Sequence, residues 1–432
     1  MQNSKLINSN FFKVLYQSKK KGSKARLGEI KTAHGIIKTP AFVAVGTKGT
    51  VKSILPSLLK EIGTKAAFVN TYHLLTHPGA DVIEKGGGIH RYANLNLPLM
   101  SDSGGFQVFS LARKKFQNLK LKSQNDNSKL KIGKEKEQLA VIKISDDGVK
   151  FRSVFDGTII ELTPEKSIGY QQKIGADIMM AFDECIPYRV SYEYTKEATE
   201  RTHRWLIRCI KYKNSGSKFL SQVNSSSSKS EDSSNIHFRK NFSPSFSQYL
   251  YGVIQGGVFE DLRKKSAEFV VSQNTPGVAI GGVSVGESKK EMRDQVRWVS
   301  PFLPEDRPVH LLGVGEFDDI LDLVSCGIDT FDCVEPTRKA RMGALFKLKV
   351  KSQKSKVEWE EFDILRGIYR NDLSKVDEEC GCFVCQNFSK SYLHHLFKNR
   401  ELLAYTLATY HNLWVMERFF ERVREAIEKD II

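Results

Sequence analysis

A cluster of three cysteines within six residues is the clearest chemical signal in this sequence. The cysteines are Cys380, Cys382 and Cys385. His411 follows the last of them after twenty-five residues. Three thiolates and one imidazole make a closed tetrahedral set that is typical of structural zinc. His394 and His395, in the run SYLHHLF, are nearer in sequence, and spacing alone leaves them open as rival fourth ligands.

A second signal is an aspartate near the end of each of three apolar runs. Asp102 lies in LMSDSGGFQ, Asp183 in MMAFDEC and Asp332 in DTFDCVEPT. A single aspartate at such a place is often a helix cap or a turn residue. Three at equivalent ends of separate runs favour a shared site instead. Converging carboxylates suit glycosyl chemistry, in which one carboxylate attacks the anomeric carbon and another moves a proton.

Glycine pairs, an aromatic residue and two arginines adjoin these runs. The pairs are Gly104 and Gly105, Gly256 and Gly257, and Gly281 and Gly282. Glycine at such points permits either a tight turn or a close approach of the backbone to a ligand. Phe106 suits stacking on a planar base or a place in the core. Arg338 and Arg341, in PTRKARMG, suit phosphate or base-edge contact, or a solvated helix start.

The elements that must position these residues are eight apolar, β-like runs with helix-like segments between most of them. The runs are TPAFVAVGT, KAAFVNTYH, LPLMSDSGG, ADIMMAFDE, LYGVIQGG, GVAIGGVSVG, PVHLLGVGE and GIDTFDCVEPT. Near-continuous apolar runs are expected for strands buried on both faces. The pattern predicts an α/β fold, a (β/α)8 TIM-type barrel, whose catalytic residues would lie at the C-terminal ends of the strands. Residues 25–44 are predicted to contain a hairpin.

The rest of the chain divides around this barrel. We predict a catalytic barrel over residues 11–360 and a zinc-binding subdomain with a C-terminal helix over residues 361–432. Polar insertions near 116–138 and 214–247 are rich in Lys, Asn and Ser, so we expect them to be exposed, poorly ordered loops. The run AYTLATYHNLWVMERFFERVREAIEKD is amphipathic and predicts the last helix.

The net charge of +16 favours a polyanionic partner. Part of this charge lies in segments that look like insertions, because Arg113–Lys136 holds nine basic and two acidic residues. Seven cysteines without a secretion signal argue against a disulfide framework. No apolar run is long enough for a membrane span, and the N-terminus lacks signal-peptide character. We therefore expect a cytoplasmic protein without a membrane association.

Taken together, these residues resemble the tRNA-guanine transglycosylase family, and the bacterial type within it. The resemblance extends from about Phe11 to Glu428, interrupted by the two insertions. Its motifs are FVNTYHLL, SDSGGFQVFSL, YGVIQGGV, IGGVSVGE, LLGVGEFDDI, FDCVEPTRKARMG and CGCFVC…YLHHL…HNL. The family combines a (β/α)8 barrel with a zinc-bearing subdomain. It therefore implies His411, in HNL, as the fourth ligand of one structural Zn²⁺ per chain.

The resemblance also implies a reaction. The family exchanges guanine at wobble position 34 of GUN-anticodon tRNAs (Asp, Asn, His, Tyr) for a 7-deazaguanine, in queuosine biosynthesis. Asp332 resembles the nucleophile, which would form a covalent Asp–ribose intermediate. Asp102 resembles the general acid/base. The target base would have to leave the anticodon stack to enter the pocket.

The implied substrate contacts come from several strand ends. Asp183, Gln255 and the Gly282 backbone resemble groups that read the base edge, and Phe106 and Leu312 would cover its two faces. The other matched positions are Ser103, Gly104, Gly105, Val283 and Glu287, the last near the pocket floor. Two segments match tRNA contacts. They are Gly313, Val314, Gly315, Glu316, Phe317, Asp318 and Asp319, and Thr337, Arg338, Lys339, Ala340 and Arg341.

The incoming base is predicted from two further positions. The bacterial type takes up preQ1 (7-aminomethyl-7-deazaguanine) and resembles this chain at Cys185 and Val285, where the queuine-using type has Val and Gly. We therefore expect preQ1 rather than queuine. Use of queuine by the same enzyme, a non-catalytic tRNA-binding subunit and a hydrolase acting on another N-glycoside are the alternatives. The family is usually homodimeric, so a homodimer is expected.

Overall fold

The computed structural model describes residues 11–106, 141–153, 156–223, 248–349 and 358–432. The insertion predicted near 116–138 lies outside the described residues, as does 224–247. The first ten residues of the other predicted insertion, 214–223, are not a loop, because they continue a long helix that ends at Val223. Among the described residues, no helix is both long and apolar enough to cross a membrane.

Strands occur throughout the described chain and belong to four sheets. They are β1 (Phe12–Gln17), β2 (Arg26–Thr32), β3 (Gly35–Thr39), β4 (Ala41–Val45), β5 (Ala66–Val69), β6 (Leu99–Ser101), β7 (Val141–Ser145), β8 (Gly148–Arg152), β9 (Ile159–Leu162), β10 (Ile178–Met180), β11 (Tyr249–Ile254), β12 (Gly277–Ile280), β13 (Val309–Leu311), β14 (Thr330–Cys333), β15 (Ala344–Lys349) and β16 (Glu358–Asp363).

Helices follow most of the barrel strands. They are α1 (Pro56–Ile62), α2 (Thr71–Thr76), α3 (Ala80–Lys85), α4 (Gly88–Tyr92), α5 (Pro164–Ile174), α6 (Tyr192–Val223), α7 (Glu260–Ser272), α8 (Lys289–Val299), α9 (Phe317–Leu323), α10 (Glu335–Arg341), α11 (Phe383–Asn387), α12 (Lys390–Lys398) and α13 (Leu402–Glu428). Short 3-10 turns lie at Ser300–Phe302, Val324–Cys326 and Gly367–Tyr369.

The centre of the molecule is a closed barrel of eight parallel strands in the order β4-β5-β6-β10-β11-β12-β13-β14, with β14 pairing with β4. Each of the eight apolar runs supplies one barrel strand, so the predicted (β/α)8 fold is confirmed. Most barrel-strand residues are buried, as their continuous apolar pattern predicted. The predicted hairpin is β2 and β3, which pair antiparallel, while Ala41 and Phe42 already belong to the barrel.

The N-terminal sheet β1-β2-β3 closes one end of the barrel. Phe11 and Phe12 join a buried cluster with interior residues such as Val43 and Met180. The ring of Phe11 stacks on Tyr249, the first residue of β11, with 3.7 Å between ring centroids. Since that residue marks the N-terminal ends of the strands, apolar packing fills the bottom of the barrel. The C-terminal end is the end at which barrels of this type bind their ligands.

Helix α13 joins the C-terminal region to the barrel. The helix packs against β4, α1 and α10, and also against the β15–β16 hairpin. Its buried face includes His411, Phe419 and Phe420. The predicted last helix is therefore confirmed, and it holds one side chain of the cysteine cluster at a fixed place relative to the barrel.

Candidate active site

The three aspartates singled out from the sequence all lie at the C-terminal ends of barrel strands. Asp102 directly follows β6, Asp183 lies three residues beyond the end of β10, and Asp332 is in β14. Hydrogen bonds link two of the three strand ends, because the Ser103 hydroxyl donates to Asp183 Oδ1 over 2.9 Å. The barrel thus places all three carboxylates around one mouth.

Asp102 is held by the start of helix α2. The Thr71 N–H donates to Asp102 Oδ1 over 2.7 Å, and the Gly104 N–H donates to the same oxygen over 3.2 Å. The Asn70 amide donates to Oδ2. Asn70 is also the N-cap of α2, because its side-chain oxygen accepts the His73 N–H over 2.9 Å. One asparagine therefore orients both the helix and the carboxylate, a role that the FVNTYHLL motif did not reveal.

Asp183 forms a buried pair with Gln255. The Gln255 amide donates to Asp183 Oδ2 over 2.7 Å. Burial raises the pKa of Asp183, and the bonds from Gln255 and Ser103 oppose that rise. Gln255 Oε1 is also buried, and it has no hydrogen-bond partner among the described residues. An unsatisfied buried acceptor beside a buried carboxyl makes a surface that suits a ligand with several N–H donors.

The glycine pair after β12 makes room for that glutamine. A Cβ on Gly281 would lie 2.8 Å from Gln255 Nε2, and one on Gly282 would lie 2.1 Å from Gln255 Oε1. Gly282 also has a positive φ of 63°. The sequence suggested that these glycines admit a ligand, and the structure adds that they admit the side chain of Gln255.

A buried arginine on α7, which the sequence did not single out, fixes the loops after β11 and β12. Arg263 donates to the carbonyl oxygens of Gly257, Gly281 and Gly282 over 2.6–2.7 Å, and to Gln295 Oε1 over 2.6 Å. Its side chain is fully buried, and burial lowers its pKa to about 10. An arginine in an amphipathic helix pattern is usually a surface residue, so no sequence signal pointed to this role.

Asp332 carries two hydrogen bonds on a single oxygen. Gly313 N–H donates to Asp332 Oδ1 over 2.9 Å, and His310 Nε2 lies 3.2 Å from the same oxygen. The carboxylate is 14% exposed, whereas the histidine is fully buried. His310 was also missed from the sequence. Its only signal was a polar residue within the apolar run PVHLLGVGE.

Glu287 organises the loop after β12. Its carboxylate accepts the backbone N–H of Ser284 and, over 2.9 Å, that of Val285. Val285 is half-buried and lines a narrow cavity together with Gly257 and Gly282. Cys185 is buried, and its burial raises the pKa of the thiol. Phe106 is 47% exposed at the mouth, and Leu312 is partly buried against the barrel interior.

The two segments matched to tRNA contacts are only partly on the surface. Val314, Phe317, Asp319, Thr337 and Ala340 are buried. Their side chains therefore support the fold. Gly315 is also enclosed, since a Cβ there would lie 2.4 Å from that of Cys333. Gly313, Asp318 and Arg338 are exposed, and Glu316, Lys339 and Arg341 are half-buried.

Positive charge gathers beside these segments. Lys52, in the loop between β4 and α1, lies close to Arg338 and Arg341 on α10. Burial lowers the pKa of Lys52, and the neighbouring charges of Arg341, Lys48 and Arg338 lower it further. Arg341 donates to the Thr337 carbonyl oxygen over 2.6 Å, which fixes its side chain. A group of like charges at the mouth is suited to phosphate oxygens.

The cysteine cluster and His411 come together in the C-terminal region. His411 Nδ1 lies 3.9, 3.5 and 3.4 Å from the sulfurs of Cys380, Cys382 and Cys385. Tetrahedral zinc with Zn–S of about 2.3 Å and Zn–N of about 2.0 Å requires S–N separations of about 3.5 Å. His411 Nε2 donates to the Phe346 carbonyl oxygen over 2.7 Å, so Nδ1 keeps its lone pair.

The rival histidines are placed elsewhere. His394 Nδ1 bonds to the Ile364 carbonyl oxygen over 2.8 Å, and His395 is exposed beside Asn399. His411 is therefore the histidine that joins Cys380, Cys382 and Cys385 in a group that could hold a metal ion. Hydrogen bonds from the thiols of Cys380 and Cys385 lower the pKa of Cys382.

Comparison with known proteins agrees with this geometry. A family model described as queuine tRNA-ribosyltransferase matches residues 20–137 and 137–432. A queuine tRNA-ribosyltransferase of Thermoanaerobacter pseudethanolicus is 42% identical over 420 residues, covering 96% of this chain and 94% of the relative. Those of Aquifex aeolicus (42% over 411 residues, 95% and 93% covered) and a Nostoc species (40% over 408 residues, 94% and 91% covered) are similar. This chain therefore belongs to the queuine tRNA-ribosyltransferase family.

Proposed function

We propose that this protein is a tRNA-guanine transglycosylase that exchanges guanine 34 of GUN-anticodon tRNAs for preQ1 through a covalent intermediate on Asp332. The observation that carries the proposal is the set of Asp102, Asp183 and Asp332 around one barrel mouth. A non-catalytic tRNA-binding subunit would not explain why three carboxylates lie together at this mouth. A hydrolase of another N-glycoside would leave the positive group at the mouth unexplained.

Asp332 and Asp102 carry out the two steps of the proposed reaction. Asp332 attacks C1′ of ribose 34, the C1′–N9 bond breaks, and its electron pair passes to the leaving guanine, which takes a proton from Asp102. In the second step N9 of the incoming base attacks C1′, and the C1′–O bond to Asp332 breaks. Asp102 then removes the N9 proton. Two successive displacements at C1′ retain its configuration.

Base recognition falls to the buried pair of Asp183 and Gln255. A guanine edge presents an N1–H, an exocyclic amine and a carbonyl oxygen. Asp183 and the unsatisfied Gln255 Oε1 accept from the first two, and the backbone beside Gly282 donates to the third. Phe106 and Leu312 cover the faces of the ring. The Ser103 hydroxyl donates to the Asp183 carboxylate and accepts the Gly105 N–H, so both residues help to orient that carboxylate.

Outside this pocket, the protein holds the tRNA through contacts to the RNA phosphate backbone. Arg338, Arg341 and Lys52 supply positive charge, and the exposed Gly313 permits close approach of RNA. The metal of the Cys3His cluster is proposed to be zinc, in a subdomain over residues 361–432 that supports the barrel of residues 11–360. We place the protein in the cytoplasm, where its tRNA substrate is available.

The proposal is tested by base exchange. Purified protein should incorporate labelled guanine into unmodified tRNA with a GUN anticodon, and preQ1 should displace that label. A tRNA whose wobble guanine is replaced by adenine is the matched control and should take up no label. Absence of incorporation into the GUN tRNA would reject the proposed function.

The choice of incoming base rests on the loop after β12. The Ser284 N–H donates to Glu287, so the Val283 carbonyl in the same trans peptide points away from that carboxylate. This carbonyl is the proposed acceptor for the aminomethyl ammonium of preQ1, and Glu287 holds the peptide in that orientation. The side chain of Val285 occupies space that the larger cyclopentenediol of queuine would need.

We therefore predict that Val285→Gly will improve the use of queuine relative to preQ1. Relief of overpacking of about 1–3 kcal/mol corresponds to roughly 5- to 150-fold in relative efficiency. Competition of each base against guanine exchange measures this ratio. Val285→Thr, which keeps the volume, should retain the native preference. Native protein that uses queuine at least as efficiently as preQ1 would contradict this interpretation of the pocket.

A homodimer is proposed from exposed apolar side chains on the C-terminal region. Leu373 is 82% exposed, Leu402 is 80% exposed, and the stacked rings of Phe388 and Tyr392 lie nearby in sequence. Leu373, Phe388 and Tyr392 line one surface hollow, and adjoining exposed apolar groups often mark an interface. We predict that Leu373→Glu will shift the native dimer toward monomer in light scattering. Leu15→Glu, on the N-terminal sheet, should leave the mass unchanged. A native protein that is monomeric at micromolar concentration would contradict the proposal.

A further inference from the structure

A buried histidine on the neighbouring strand, His310, contacts the side chain of the proposed nucleophile. It lies in β13, opposite Thr330 of the parallel strand β14. Thr330 and Asp332 are two residues apart on that strand, so their side chains share a face. The imidazole is fully buried between them, with Nδ1 2.9 Å from Thr330 Oγ1 and Nε2 3.2 Å from Asp332 Oδ1.

These contacts fix the tautomer of the ring. An ionised Asp332 can only accept hydrogen bonds, so His310 Nε2 must carry the hydrogen. In the neutral imidazole Nδ1 is then an acceptor, and the Thr330 hydroxyl donates to it. The ring of Phe68 lies alongside, with centroids 5.7 Å apart, and limits rotation of the imidazole. His310 is therefore oriented as a donor to Asp332.

The two oxygens of Asp332 consequently differ. Oδ1 accepts from both Gly313 N–H and His310 Nε2–H, whereas no donor to Oδ2 occurs among the described residues. Resting on the proposed function, we propose that His310 is a positioning residue that reserves Oδ2 for attack on C1′. It also stabilises the carboxylate of Asp332 when the C1′–O bond breaks and negative charge returns to it.

The two half-reactions depend on this donor differently. When the ester forms, the carboxylate loses its charge and the hydrogen bond to Oδ1 weakens. When the incoming base displaces Asp332, the electron pair of the C1′–O bond returns to the carboxylate and the hydrogen bond strengthens. Loss of the donor should therefore slow release from the adduct more than formation. Because a hydrogen bond to a charged acceptor is lost, we expect about a 10- to 100-fold effect on release.

The test compares His310→Leu with His310→Gln, whose amide nitrogen can replace Nε2 as donor. Rapid quenching with labelled tRNA measures adduct formation, and a chase with guanine measures adduct release. His310→Leu should form adduct at close to the native rate, release it about 10- to 100-fold more slowly and accumulate it during turnover. His310→Gln should recover most of the release rate.

Two outcomes would overturn the inference. One is native release in His310→Leu, and the other is an equal loss of formation and release in both variants, as expected for a purely structural residue. The proposed function is tested separately, because a native protein that forms no adduct would fail before either variant is compared. The native rate of adduct formation therefore tests the proposed function, whereas the ratio of release rates between the two variants tests the role of His310.

Discussion

Asp332→Asn is expected to abolish base exchange and to prevent any denaturation-resistant tRNA adduct. The asparagine side chain has the same shape, and its carbonyl oxygen can still accept from Gly313 N–H and His310. The fold and tRNA binding should therefore be preserved. A neutral amide is a very poor nucleophile, so exchange should fall by at least about 10⁴-fold, as when nucleophiles are removed from other enzymes.

The measurement is a denaturing gel of protein incubated with labelled GUN tRNA, together with guanine exchange rates. Asp306→Asn is the matched control, because that side chain is 77% exposed and lies outside the site. It should form the native amount of adduct. An adduct that persists in Asp332→Asn would show that another group attacks the ribose, and the assignment of Asp332 would then be wrong.

His411→Ala is expected to remove the metal and destabilise the protein together. Three thiolates without the imidazole leave the tetrahedral site open, and Phe346 loses the donor to its carbonyl oxygen. The native protein should contain about one zinc per chain. Since His411 lies in α13, which packs against the barrel, the free energy of unfolding should fall by more than about 4 kcal/mol, as expected for loss of a structural metal.

Metal analysis and thermal or denaturant unfolding measure the two effects. His395→Ala is the matched control, because His395 is exposed and bonds only to the neighbouring Asn399 among the described residues. It should keep native metal content and native stability. Full metal occupancy in His411→Ala would show that the fourth ligand is a different group.

The sequence alone determined the barrel, because strands buried on both faces must be apolar along their whole length. Eight such runs were visible, and each is a barrel strand. The aspartates were visible for a related reason. A charged residue at the end of an apolar run must lie where the strand leaves the core, and in a barrel all such ends are at one mouth. The cysteine spacing likewise restricted the metal ligands to a few candidates.

Tertiary structure alone decided the partners of these groups. His310, Arg263 and Asn70 act across strands and loops that are far apart in sequence, so no local pattern could reveal them. The cysteine spacing left His411 and His394 both open, and the family resemblance implied His411. The packing of α13 agrees, because it places that imidazole among the thiolates, while His394 contacts a backbone carbonyl. Periodicity and composition report burial one residue at a time, whereas hydrogen bonds between distant side chains exist only once the chain has closed into a barrel.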